Sequence, residues 1–325
     1  MLPASSAEAV TRAPGVREGT PAATPASPAV HAMELRKAYR RTVALDGLSM
    51  TVGRGEVFGF LGPNGAGKTT AVKLLLGLAR PTGGTAMVLG APAGDRAARR
   101  KIGYLPELFR YQSWLTATEV LVLHCRLLGL PRPGWDGEAA AVLETVGLAG
   151  RGHDKVGTFS KGMQQRLGLG VALLGEPDLV ILDEPTSALD PVGRHQVRAI
   201  ISGLRDRGTT VFLNTHLLEE AEQVCDRVTV ISKGKALATG TLAELRRRSP
   251  AVRLQVTGLP PGWWQSMNGA GRWSAEGDWL RVEDLADGQV PDLVAAIVVR
   301  GGRVEAVVPE QQSLESAFLD LLGDQ

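Results

Sequence analysis

Along most of the chain the apolar positions fall into short runs separated by turn residues. From about Glu34 to Gly240 strand-like and helix-like patterns alternate, as they do in α/β proteins. Val57 to Leu61 reads as a buried strand that runs into a glycine-rich loop, and Thr69 to Ala79 reads as the helix after it. Two more buried strands are expected at Leu179 to Leu182 and Thr210 to Leu213. Leu115 to Leu130 and Glu138 to Val146 carry helical spacing. The first of these opens on Thr116, Ala117, Thr118, Glu119, a capping box in which each end of the motif satisfies an amide the helix leaves free. These helices form an insert, about residues 108–157, in the α/β core.

After a helix near Leu242 to Arg248, Ser249 and Pro250 break the pattern. The remainder holds four of the six tryptophans and β-like pieces at Val252 to Thr257, Trp279 to Val282 and Val304 to Val307. Helices are expected at Asp292 to Val299 and Ser313 to Leu322. The organisation expected is a disordered leader over 1–31, a large domain over 32–245 and a small α+β domain over 250–325. The leader is rich in Ala, Pro, Ser and Thr and lacks the apolar core of a secretory signal.

Composition narrows the function classes. The 325 residues suit one large domain and a small one, and 44% hydrophobic with 22% charged residues is an ordinary globular balance. A net charge of +2 gives no basic footprint for nucleic acid, so none is expected as a partner. The two cysteines, Cys125 and Cys225, lack metal-ligand spacing and read as buried thiols of a reducing compartment. Leu167 to Leu182 is the most apolar stretch, but Glu176, Pro177 and Asp178 interrupt it, so no membrane span is expected.

The chemistry lies in two motifs. Gly62, Pro63, Asn64, Gly65, Ala66, Gly67, Lys68, Thr69 satisfies G-x-x-x-x-G-K-[ST] between a strand and a helix, with Thr70 next. Such a loop turns backbone amides and a helix N-terminus toward phosphate oxygens. Lys68 then reaches the β- and γ-phosphates, and Thr69 ligates Mg²⁺. The second motif is Leu179, Val180, Ile181, Leu182, Asp183, Glu184, an apolar strand ending in two carboxylates. One of them, Asp183, suits the metal; the other, Glu184, suits a general base that orients water.

Further residues narrow a generic phosphate-loop protein to one family. Phe159, Ser160, Lys161, Gly162, Met163, Gln164, Gln165, Arg166, Leu167 resembles the signature motif of ABC ATPases. Ser187, Ala188, Leu189, Asp190 resembles their D-loop, His216 their switch histidine, and Tyr39 the aromatic that stacks on adenine. Ser-Lys-Gly-Met in the signature and Gly103-Tyr104-Leu105-Pro106-Glu107, with Glu107 where many members carry glutamine, resemble the bacterial drug-, antibiotic- and sodium-export subgroup. His31, His124, His153 and His195 have no motif context and read as ordinary residues.

The resemblance implies a P-loop core with antiparallel β and helical subdomains, ATP and Mg²⁺ as ligands, and catalytic roles for Glu184, His216 and Glu107, the last also toward the metal. It implies a dimer, of like chains or with a homologous ATPase, in which Ser160 to Gln164 of one chain complete the site of the other. It further implies a separate integral-membrane permease docked on the insert and a location on the cytoplasmic face of the membrane. In the insert Val120, Leu121, Leu123, Leu127 and Leu128 are expected mostly to serve its own core, and Phe109, Tyr111 and Trp114 to be exposed flanks that meet the permease. Ser313 to Leu319 resembles the small tail of the same subgroup. A non-transport ABC ATPase acting on ribosomes or DNA is the alternative.

Overall fold

The structure is a computed structural model that describes residues 27–187, 189–246, 251–267, 271–283, 285 and 288–310. At its centre stands a six-stranded sheet made of β3 (Val57–Leu61), β6 (Ile102–Leu105), β7 (Leu179–Asp183), β8 (Thr210–Thr215), β9 (Arg227–Ser232) and β10 (Lys235–Thr241). Their order is β10-β9-β3-β8-β7-β6, parallel except for β10. The three strands expected from sequence are all here and entirely buried. Uninterrupted apolar runs are what a strand covered on both faces requires.

Alternation within those runs assigns the two faces. Phe58, Phe60, Leu179, Ile181 and Phe212 point into one core, shared with α1 (Lys68–Leu75) and a four-stranded antiparallel sheet. That sheet has the order β2-β1-β4-β5, with β1 at Val30–Tyr39, β2 at Thr42–Val52, β4 at Gly83–Val88 and β5 at Ala91–Pro92. Val57, Leu61, Val180, Leu182, Val211 and Leu213 point into the other core. There they meet α3 (Ala117–Leu128), α4 (Trp135–Thr145), α5 (Lys161–Leu173), α6 (Pro191–Asp206) and α7 (Leu218–Val224). A short α2 (Arg96–Arg99) precedes β6, and α8 (Leu242–Arg246) follows β10.

Strand β1 begins at Val30, inside the stretch read as leader, because Val30 and Ala32 bury one face of an interior strand that β2 and β4 both pair with. The helix after the phosphate loop stops at Leu75 rather than Ala79. Gly77 takes φ +68° there, where an added Cβ would run into Gly94.

In the insert, α3 opens on the expected box: Glu119 N–H donates to Thr116 Oγ1 at 3.2 Å and Thr116 N–H to Glu119 Oε2 at 2.8 Å. Val120, Leu121 and Cys125 are buried, but Leu123 and Leu127 are 38% and 72% exposed. Those two fall on the flank opposite the buried face, so they do not serve the core as expected. Phe109 and Tyr111 correct the opposite way: both pack against the core, and only Trp114 of the three is strongly exposed, at 69%. Both cysteines are buried and free.

The C-terminal part is a second antiparallel sheet, order β12-β13-β11-β14, from β11 (Ala251–Thr257), β12 (Arg272–Glu276), β13 (Trp279–Glu283) and β14 (Arg303–Glu310). Helix α9 (Gln289–Val299) sends Leu293 and Ile297 into a core with Val252, Leu254, Leu280 and Val282. Trp263, Trp264 and Trp273 pack partly against it. The helix expected at Ser313 to Leu322 lies outside the described residues. Among the described residues no helix is long and apolar enough to cross a membrane.

Candidate nucleotide site

Parallel register brings the functional strand ends to one edge of the central sheet. Leu61 pairs with Thr215, Asp183 with Asn214 and Leu105 with Leu182, so the loops after β3, β6, β7 and β8 leave side by side. A crevice outside the carboxyl ends of the strands is where open α/β sheets bind ligands. Here it is a cleft of about 470 Å³ lined by Thr42, Val43, Ala44, Asn64, Gly65, Gly67, Lys68, Thr69, Thr70, Glu107, Asp183, Glu184, Ser187, Asn214 and His216.

The phosphate loop is gripped from both sides. Gly67 has φ +105°, and a Cβ on it would run into the carbonyl of Ala44. A Cβ on Gly62 would strike the carbonyl of Ile231. Gly234 N–H donates to Ala66 O at 2.9 Å and Asp46 N–H to Gly234 O at 2.9 Å, tying loop, β2 and the β9–β10 turn together. The Ala66 carbonyl is thereby committed to the scaffold.

Lys68 opens α1 and is 7% exposed. Its ammonium donates to Gly62 O at 2.8 Å and Pro63 O at 3.3 Å and lies 4.0 Å from Glu184 Oε1. Burial lowers its pKa from the ordinary lysine value, and the nearby charges of Glu184, Asp183 and Glu107 oppose that shift. A desolvated cation held only by carbonyls and one distant carboxylate is poised for a stronger anion.

Opposite it, Asp183 closes β7 at 1% exposure and accepts a hydrogen bond from Asn214 Nδ2 on Oδ1. Burial raises its pKa against the lowering effect of that bond. Glu184 leaves the strand at φ +52°, an uncommon conformation for a residue with a side chain, held by its N–H to Asn214 O at 2.9 Å. Its Oε1 accepts from His216 Nδ1 at 2.8 Å; a carboxylate only accepts, so the ring donates. Glu184 Oε2 is buried without a partner among the described residues. Burial, and after it the charges of Asp183 and Glu107, raises the Tyr104 phenol pKa to about 12.

Three groups of expected residues lie elsewhere. Ser160, Lys161, Gly162 and Met163 line a separate groove of about 450 Å³ with Leu189 and Asp190. Ser160 Oγ caps α5 by accepting from Met163 N–H at 3.2 Å, and Gln164 Nε2 donates to Phe159 O at 3.2 Å. Tyr39 is 45% exposed with Lys37 Nζ 4.7 Å from its ring centre, and it is not among the residues lining the cleft. Pro63 is exposed on the loop, and Ala188 lies outside the described residues. Sequence reasoning gave no role of their own to Asn214, Thr42, Val43, Ala44 and Gly234. Asn214 stands two residues before His216, but only strand register shows that it faces Asp183.

Donor chemistry fits Mg²⁺. Among the described residues no three His, Cys, Asp or Glu side chains are grouped as metal ligands. A cation shared with phosphates needs only a carboxylate or two and a hydroxyl, as Asp183, Glu107 and Thr69 offer, and the orphaned Glu184 Oε2 calls for a donor such as a bound water.

A parallel sheet with this loop and paired carboxylates at its C-terminal edge defines a phosphate-loop nucleoside triphosphatase. The ABC transporter family pattern matches residues 45–187. An uncharacterised ABC transporter ATP-binding protein of Nostoc sp. is 38% identical over 307 residues, covering 90% of this chain and 89% of that protein. The Nod factor export ATP-binding protein I of Burkholderia orbicola is 41% identical over 208 residues, 63% of this chain and 68% of that one. A solved dimeric ATP-binding cassette in a post-hydrolysis state with ADP and Pi superposes at TM-score 0.60 and 25% identity, covering 66% of this chain and 98% of that one. The chain belongs to the ATP-binding proteins of ABC transporters.

Proposed function

We propose that the cleft binds ATP with Mg²⁺ and hydrolyses it, and that hydrolysis drives export through a separate membrane permease. The observation that carries this reading is the arrangement around Glu184. One carboxylate oxygen is held by His216, and the other is buried and unpaired in the cleft. Glu184 acts as general base: Oε2 takes a proton from the attacking water as its oxygen bonds to the γ-phosphorus and the bond to the β–γ bridging oxygen breaks. His216 orients the base and can donate to the γ-phosphate. Lys68 exchanges its bonds to Gly62 and Pro63 for phosphate oxygens, while the amides of Gly65, Gly67 and the start of α1 surround them. Mg²⁺, held by Thr69 and Asp183 with Glu107, would neutralise charge developing on the phosphates. Tyr39 stacks on the adenine at the open end of the site.

The site is complete only in a pair. Ser160 to Met163 line a groove at the tip of α5, with Gln164 next on the helix, and a second chain turned head to tail brings that tip over the first chain's cleft. Ser187, on the cleft, and Leu189 and Asp190, on the groove, belong to the same seam. The two copies are alike or homologous. Exposed Leu108 and Trp114 fit contact with a permease at the inner face of the membrane, and the likeness to a Nod factor export protein favours export. Residues 30–245 act as the motor, with the leader ending before β1 and 250–325 as an accessory domain.

The test is phosphate release and ATP-dependent dimerisation of Glu184→Gln. The variant should bind ATP, accumulate as a dimer and release phosphate at a small fraction of the wild-type rate. Unchanged phosphate release would remove Glu184 as base.

A further inference from the structure

Asn214 has an unfinished set of hydrogen bonds inside the cleft. It is 1% exposed, pairs in register with Asp183, and its backbone carbonyl accepts from Glu184 N–H at 2.9 Å. Its side-chain amide meets Asp183 Oδ1. An ionised carboxylate only accepts, so the NH₂ group must be the end that faces Asp183, and Oδ1 is left as an acceptor on the other side. That oxygen has no partner among the described residues, and neither has Glu184 Oε2. Both residues line the same cleft. Two buried acceptors at adjoining strand ends require donors, from solvent or from a bound ligand. A cation that keeps most of its waters brings such donors, because each bound water points its protons outward.

We propose that Asn214 is a positioning residue for the divalent cation that accompanies the nucleotide: Nδ2 fixes one oxygen of Asp183 and leaves the other for the metal, and Oδ1 accepts from a water in the metal's shell. The inference rests on the assignment of Asp183 to the cation. It explains why an amide follows the apolar run Val211, Phe212, Leu213 on a strand that is buried throughout. It also explains how Asp183, buried at the end of its strand, keeps a single orientation before any ligand binds.

The test uses Mn²⁺ as the probe, with the full chain and the non-hydrolysable analogue AMP-PNP, reading free Mn²⁺ by electron paramagnetic resonance. Asn214→Leu should weaken Mn²⁺ at least about tenfold, the range commonly lost when a partner of a metal ligand is removed. AMP-PNP affinity in EDTA should stay at the wild-type value. Asn214→Ser supplies a hydroxyl in place of the amide but lacks its reach, and should fall between; if the leucine variant does not fold, the serine variant decides alone. Wild-type Mn²⁺ affinity in a folded variant overturns the proposal. So does an equal loss of metal-free AMP-PNP binding, the sign of a merely structural role. Asp183→Asn separates the levels: if it too keeps wild-type Mn²⁺ affinity, the assignment of Asp183 fails and the role of Asn214 falls with it.

Discussion

His216 and Glu184 meet at 2.8 Å between Nδ1 and Oε1, although they leave different strands, and Lys68 Nζ stands 4.0 Å from the same carboxylate oxygen. One oxygen of Glu184 is thus occupied on two sides while Oε2 stays buried and unpaired. In the proposed mechanism that asymmetry separates the positioning of the carboxylate from its work as a base.

Two substitutions follow from it. Glu184→Gln should lower ATP turnover by about 10²- to 10⁴-fold, the span usual for a general base, and leave nucleotide affinity near wild type. His216→Ala should cost less, since Oε2 survives. Steady-state phosphate release and equilibrium nucleotide binding check both; equal losses would place His216 in the proton transfer itself.

Lys68→Ala should act on affinity. The ammonium is desolvated and bonded to two carbonyls, so its exchange for phosphate oxygens adds charge-assisted bonds worth about 1.5–3 kcal/mol. The expected loss in ATP affinity is about 10- to 100-fold, read by fluorescence titration.

Asp183 gives a stability prediction of opposite sign to the usual carboxylate. Burial raises its folded pKa above the ordinary 3.8, so between 3.8 and the raised value the folded chain binds more protons than the unfolded one. Its charge therefore costs stability, fully so above the folded pKa and not at all below 3.8. Asp183→Asn should raise the melting temperature of the nucleotide-free chain at neutral pH and abolish the stabilisation that Mg-ATP adds. A lower melting temperature without nucleotide would contradict this.

Gly67→Ala should fail in the scaffold. At φ +105° with the Ala44 carbonyl in the way, a methyl group strains the loop whatever else happens. The cost expected is at least about 1–3 kcal/mol, measured as a shift in urea midpoint, together with lost nucleotide binding.

Thr116 and Ser160 are both helix caps, so replacing either by alanine should cost about 1 kcal/mol of stability. Only Ser160→Ala should abolish turnover while sparing ATP binding, because only that cap belongs to the proposed composite site. Parallel melts and phosphate-release assays distinguish them; matched activity losses would leave Ser160 as a cap alone.

By itself the sequence determined whatever depends on a few consecutive residues. The phosphate loop, the Asp183-Glu184 strand end, the Thr116 box and the buried runs at 57–61, 179–182 and 210–213 are local, because backbone conformation, capping and burial on both faces leave direct marks on residue type. Only tertiary structure decided which side chains meet. The leucines of α3 look alike in sequence, yet neighbours bury Leu121 and leave Leu127 bare. Gly234 became part of the phosphate loop's support through a turn far along the chain, and Asn214 found Asp183 through strand register. Ser160 and Lys68 were placed in different cavities of one chain. Hydrophobic periodicity states that a face will be covered; packing of distant segments states by what, and the energy of that choice is spread over contacts no short motif contains.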